Sequence, residues 1–162
     1  MVNDVTVRLL LIKMLINGLD SLIIDIETAF LHGILGPGEE VYMDCPEGLG
    51  AKDDECLLLL KTLYGLVQSA RAYYNRARKV LEGAGFRRSE MDPCLFVKDL
   101  NYGEKVYLVM WVDDCFLVGK RSDIDDAVRD IEKHFKIVKN ETLDDYLSCE
   151  IQVNKEGIQE DG

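Results

Sequence analysis

Two adjacent carboxylates, Asp113 and Asp114, lie in the pentapeptide Trp111-Val112-Asp113-Asp114-Cys115, between the apolar runs Val106-Tyr107-Leu108-Val109-Met110 and Phe116-Leu117-Val118. Apolar runs flanking so short a polar segment predict a tight β-hairpin with the aspartates at its tip. Neighbouring anions repel, so the pair calls for a cation. A third carboxylate, Asp25, ends the strand-like run Leu22-Ile23-Ile24. If the fold lays that strand beside the hairpin, three aspartates converge and can hold two Mg²⁺ ions, the machinery of phosphoryl transfer.

The elements that must position them are legible in outline. Asp4 is read as the cap of a helix running to about Ile16, where Asn17-Gly18 marks its end, and a strand follows at 22–26. Ala29-Phe30-Leu31 before His32-Gly33 predicts a short helical turn, Gly36-Pro37-Gly38 a loop, and 41–43 and 56–60 short strands. From Ser69, read as a cap, Ala70, Tyr73, Ala77, Val80, Leu81 and Ala84 recur at helical spacing until Gly83 and Gly85. Strands are predicted at 95–97, 105–111 and 115–119. A helix capped by Ser122 or Asp123 runs to about Phe135, and weaker strands follow at 136–139 and 146–153. The expected fold class is α+β, one antiparallel sheet backed by two or three helices.

Composition narrows the function classes. A length of 162 residues suits one domain. The net charge of −11, from 30 acidic and 19 basic residues, argues against an autonomous nucleic-acid binder. The basic residues Arg71, Arg76, Arg78, Lys79, Arg87 and Arg88 cluster, and acids concentrate around 123–132 and 141–150. Cys45, Cys56, Cys94, Cys115 and Cys149 contain no Cys-x-x-Cys pair, which fits reduced thiols in an intracellular compartment better than a zinc site or a disulfide framework. The apolar run from Val5 to Ile16 carries Arg8 and Lys13 and is too short to span a bilayer, so the chain reads as soluble.

A set of blocks then points to a family. Ile24-Asp25-Ile26-Glu27-Thr28-Ala29-Phe30-Leu31-His32-Gly33, Val41-Tyr42-Met43 with Pro46-Glu47-Gly48, Leu63-Tyr64-Gly65-Leu66 with Gln68, Gly85-Phe86 with Asp92-Pro93-Cys94-Leu95-Phe96-Val97, and Val112-Asp113-Asp114 occur in that order. Together they resemble the reverse transcriptase (RNA-dependent DNA polymerase) of copia-type long-terminal-repeat retrotransposon polyproteins. The resemblance implies a polymerase palm with partial fingers over 1–153, with 154–162 a tail or truncated continuation. It implies a fragment performing two-metal transfer of dNTPs onto a primer 3′-hydroxyl, copying RNA or DNA. Asp25, Asp113 and Asp114 match the family's metal-binding aspartates, which take two Mg²⁺ (or Mn²⁺) ions.

By the same resemblance, Phe30 is the ring that excludes a 2′-hydroxyl, and Tyr64, Gly65 and Gln68 line the nucleotide and template pocket. Arg71 and Arg78 would meet template phosphates. The implied partners are a template-primer, dNTP and other polyprotein domains such as RNase H and integrase, with no membrane, in a cytoplasmic retrotransposon particle. The chain departs from the family pattern at Trp111 for tyrosine, Val67 for lysine, Ala70 for proline and Glu27 for lysine; the Glu27 side chain is expected to point to the face opposite Asp25. No thumb or RNase H segment is recognised, so the isolated chain is expected to be weakly active or inactive. The competing expectations are a non-catalytic remnant acting as a folded interaction module and a palm-like nucleotidyl cyclase, for which no glycine-rich phosphate loop is present.

Overall fold

The computed structural model describes residues 3–50, 52, 54–140, 150–154 and 157–161. The chain forms two compact units, one of residues 1–27 and 78–162 and the other of 28–77.

The first unit opens with helix α1 (Asp4–Asn17). Its cap is Asn3 rather than Asp4: the Asn3 side chain accepts from the Val5 amide at 3.0 Å, and Asp4 lies inside the first turn. Gly18 ends the helix in the left-handed conformation at φ 59°, and the Leu19 amide reaches back to the Met14 carbonyl at 3.0 Å. The sheet of this unit is antiparallel, built from β1 (Asp20–Ile26), β4 (Arg87–Arg88), β5 (Leu95–Asp99), β6 (Lys105–Trp111), β7 (Asp114–Gly119) and β8 (Ile137–Asn140), in the order β4-β5-β6-β7-β1-β8. The two-residue strand β4 is not apparent from sequence pattern.

The central strands read as unbroken apolar runs because both faces of the sheet are covered. On one face Ile23, Val109, Phe116 and Val118 pack with Val7, Leu10, Leu11 and Met14 of α1. The alternate residues Leu22, Ile24, Leu108 and Leu117 are equally buried. Helix α3 (Arg121–Glu132) lies against β1, β6 and β7 and buries Ile124, Ala127, Val128 and Ile131. It starts at Arg121, ahead of the expected Ser122 or Asp123 cap, and its N-cap Lys120 makes no side-chain capping bond. A further hairpin joins β9 (Glu150–Asn154) and β10 (Gly157–Asp161), so the segment read as a tail contains a strand; residues 146–149 of the last expected strand lie outside the described residues.

The second unit holds a 3₁₀ turn at Ala29–His32 and a two-stranded antiparallel pair, β2 (Tyr42–Asp44) with β3 (Cys56–Leu58). It also contains the first half of α2 (Ser69–Gly83). Ser69 is the first helical residue, and its buried hydroxyl donates backward to the Leu63 carbonyl at 2.5 Å, closing the 63–69 loop rather than capping the helix. Among the described residues no helix is long and apolar enough to cross a membrane.

Candidate active site

The strand that ends in Asp25 does lie beside the hairpin that carries the other two aspartates. β1 pairs with β7 from Asp20↔Gly119 to Asp25↔Asp114, and Trp111 faces Asp114 across the hairpin itself. Directly opposed residues share one face of a sheet, so Asp25, Asp114 and Trp111 lie in one row. Val112 and Asp113 form the two-residue turn, and the Ile26 amide donates to the Asp113 carbonyl at 2.9 Å, tying the turn to the end of β1. Trp111 is partly buried against the core under α1, which anchors the base of the hairpin.

Val112 takes φ 52°, a conformation that a β-branched side chain resists. A two-residue hairpin whose strands twist correctly needs a positive φ at its first central position, normally met by glycine. The pairing of β6 with β7 therefore forces strain on Val112, at the point where two carboxylates are presented.

The electrostatics follow from crowding. Partial burial, then the charges of Asp113 and Glu27, push the Asp25 carboxyl above its ordinary range. Burial, then Asp113 and Asp25, do the same to Asp114. The charge of Glu27 is thus felt at Asp25, and Glu27 stands just past the end of β1 at Ile26, where the alternation of strand faces expected from sequence no longer applies. Its own carboxylate is held by Lys136 Nζ at 2.8 Å, and its amide donates to the Lys136 carbonyl at 3.0 Å. Lys136 is invisible to sequence reasoning because only the β1–β8 register, Ile26↔Ile137, brings it there. Burial pushes the Cys115 thiol far above its usual range, which leaves it a small protonated core residue. Among the described residues no three His, Cys, Asp or Glu side chains are already gathered closely enough to hold a metal ion; what the fold supplies is the backbone juxtaposition of the three aspartates.

In the second unit, the Phe30 ring is met edge-on by Tyr64, with ring centroids 5.2 Å apart, and by Tyr73 at 6.2 Å. Tyr64 is otherwise exposed, Gly65 takes φ 90°, and Gln68 is half-buried with its carbonyl accepting from the Ala72 amide at 2.9 Å. The support under Phe30 escaped sequence reasoning. Thr62, completely buried, donates its hydroxyl to the Phe30 carbonyl at 2.5 Å, and its amide donates to Gly33 at 3.1 Å. A Cβ on Gly33 would fall onto the Thr62 hydroxyl and crowd Ala72 and Tyr73, so the glycine is required for close approach. Arg71 is ion-paired with Glu39, and Arg78 with Glu82 at 2.7 Å.

The family model for "Reverse transcriptase (RNA-dependent DNA polymerase)" matches residues 2–160. The chain belongs to this family. Among curated relatives it is 34% identical over 139 residues, 83% of its own length, to the Retrovirus-related Pol polyprotein from transposon RE2 of Arabidopsis thaliana. It is 34% identical over 131 residues, 78% of the chain, to that from transposon RE1 of the same plant. It is 38% identical over 100 residues, 60% of the chain, to that from transposon TNT 1-94 of Nicotiana tabacum. The matched segments span only 7% to 9% of those polyproteins. No solved structure matches the chain at a significant level.

The Asp92-Pro93-Cys94 block serves the fold rather than the chemistry. In this reverse transcriptase domain Asp92 of the Asp-Pro-Cys block is buried: one oxygen accepts from Thr6 Oγ1 at 2.6 Å and the other from the Cys94 amide at 2.9 Å. The side chain ties α1 to the loop entering β5, a structural task.

Proposed function

We propose that the chain is the palm, with part of the fingers, of a retrotransposon reverse transcriptase, and that Asp25, Asp113 and Asp114 are its catalytic carboxylates. The pairing of Asp25 with Asp114 across β1 and β7, with Asp113 in the adjoining turn, is the observation that carries this reading. Three hard oxygen donors in a partly desolvated corner fit Mg²⁺ or Mn²⁺, since Asp25 and Asp114 are raised first by burial and then by neighbouring carboxylates, and a divalent cation favours the charged form against both. Asp25 and Asp113 would be the principal residues holding the ions, with Asp114 in support. When bound, such ions activate a primer 3′-hydroxyl and shield the triphosphate and departing pyrophosphate.

The protein's own contribution is position. Strand pairing sets Asp25 opposite Asp114, and the tight turn between β6 and β7 carries Asp113 beside them. Phe30, gripped by Tyr64 and Tyr73, supplies a fixed flat ring suited to excluding a ribose 2′-hydroxyl. Gly65 lets the backbone approach a ligand closely, with Tyr64 and Gln68 beside it to contact nucleotide and template. Arg71 and Arg78 can exchange exposed carboxylate partners for template phosphates at small loss, because exposed ion pairs contribute little. The much greater length of the relatives supports cooperation with other polyprotein segments.

Incorporation of a single dNTP on a primer-template in Mn²⁺ tests this function. Templated addition that disappears in Asp113→Asn is expected, without processive extension. Addition that survives Asp113→Asn would assign the activity elsewhere.

A further inference from the structure

Two consecutive amides at the end of β1 are tied in opposite directions. The Ile26 amide donates to the Asp113 carbonyl in the hairpin turn at 2.9 Å, and the Glu27 amide donates to the carbonyl of Lys136, just ahead of β8, at 3.0 Å. The backbone of Glu27 is therefore pinned two residues beyond Asp25. Its carboxylate meets the Lys136 ammonium at 2.8 Å, so one residue holds Glu27 by main chain and by charge. Lys139, the next lysine along the chain, is engaged elsewhere, with Glu132 at 2.8 Å. Glu27 brings a further negative charge to Asp25, Asp113 and Asp114, and it adds to the forces that raise Asp25. Lys136 offsets that charge. A formal charge several ångströms from a divalent ion changes its binding without touching it, and the ion's double charge doubles the effect.

We infer that Lys136 is a positioning residue that, acting through Glu27, sets how tightly the three aspartates hold a divalent cation. The inference rests on the proposed role of Asp25, Asp113 and Asp114, and it makes neither Glu27 nor Lys136 a ligand. With both side chains present the pair is neutral, and the ion meets the aspartates alone. Without Lys136 the Glu27 carboxylate loses its ammonium and draws cations toward Asp25; without Glu27 the Lys136 ammonium repels them. The two substitutions break the same ion pair yet move the affinity in opposite directions. A pair with only a structural task behaves otherwise, because either loss breaks the same contact and shifts the site in one direction. The Lys136 side chain is 79% exposed, so its replacement leaves no cavity, and exposed ion pairs contribute little to stability.

The test is calorimetric titration of Mn²⁺ into the whole chain at low salt. Lys136→Met is expected to tighten binding and Glu27→Gln to weaken it, each roughly threefold. Lys136→Gln, a second neutral variant, should match Lys136→Met, and Lys136→Arg should keep the wild-type affinity. The double variant Glu27→Gln with Lys136→Met should return close to wild type, and every difference should shrink as salt is added. Affinity that moves the same way in both single variants, or in neither, overturns the inference and leaves the three aspartates in their proposed role. A wild-type chain without saturable binding, or binding that survives Asp25→Asn, overturns the proposed site and the inference together.

Discussion

Val112 and Gly33 show how single residues, one in each unit, shape their own surroundings in opposite ways. Val112 holds a positive φ at the hairpin tip that glycine adopts freely, so Val112→Gly is expected to raise stability by about 0.5–1 kcal/mol, read as a higher urea midpoint with unchanged slope. An unchanged or lower midpoint would mean that the turn carries no strain. Gly33→Ala drives a methyl into Thr62, whose hydroxyl supports Phe30, and should destabilise by about 1–3 kcal/mol. The same melts measure it.

Asp114 is a residue whose charge works against the fold. Its folded pKa is raised, so the native state binds more protons than the unfolded state, and stability falls as pH rises from the ordinary carboxylate pKa through the folded value. Asp114→Asn removes that penalty. At neutral pH without divalent cations the variant should melt a few degrees higher than wild type, and the gap should close in acid. A lower melting temperature at pH 7 would show that the carboxylate is not repelled.

At the scale of elements, what could be read from sequence was what periodicity and turn chemistry encode. The Trp111–Asp114 hairpin, the strand ending in Asp25 and the α2 pattern from Ala70 to Leu81 are each set by local residues. Their association was not legible locally: β1 pairs with β7 and β8, whose partners lie far along the chain, and the register that opposes Asp25 to Asp114 comes from burial on both sheet faces. For the same reason Lys136, Thr62 and the Asp92–Thr6 tie went unseen, since each is defined by a contact across long sequence separation. Helix starts failed where caps compete: Asn3 took the role read for Asp4, and Ser69 bonded backward.

The docking of α3 on the sheet carries a prediction with the opposite pH sign. Lys133 and then Lys98 of β5 hold the Asp130 carboxyl below its usual range. Its stabilising contribution is present above the unfolded carboxylate pKa and is lost as pH falls through the folded one. Asp130→Asn should therefore lower the melting temperature at pH 7 and match wild type in strong acid. A difference that persists unchanged in acid would show that packing, not charge, is responsible. Because Lys133 is largely exposed and Asp130 partly so, added salt should shrink the effect.

On the scale of the whole molecule, a net charge of −11 means that the proposed contacts to nucleic acid would have to be confined to small regions such as those around Arg71 and Arg78. The matched segments span 9% of the RE1 and RE2 polyproteins. Strand pairing is proposed to create a divalent-cation site from Asp25, Asp113 and Asp114. Calorimetric titration of Mn²⁺ into the wild-type chain and into Asp25→Asn, Asp113→Asn and Asp114→Asn addresses it directly. Saturable binding that each substitution weakens at least tenfold is the predicted result. Binding indifferent to Asp25→Asn, or no saturable binding at all, would contradict it.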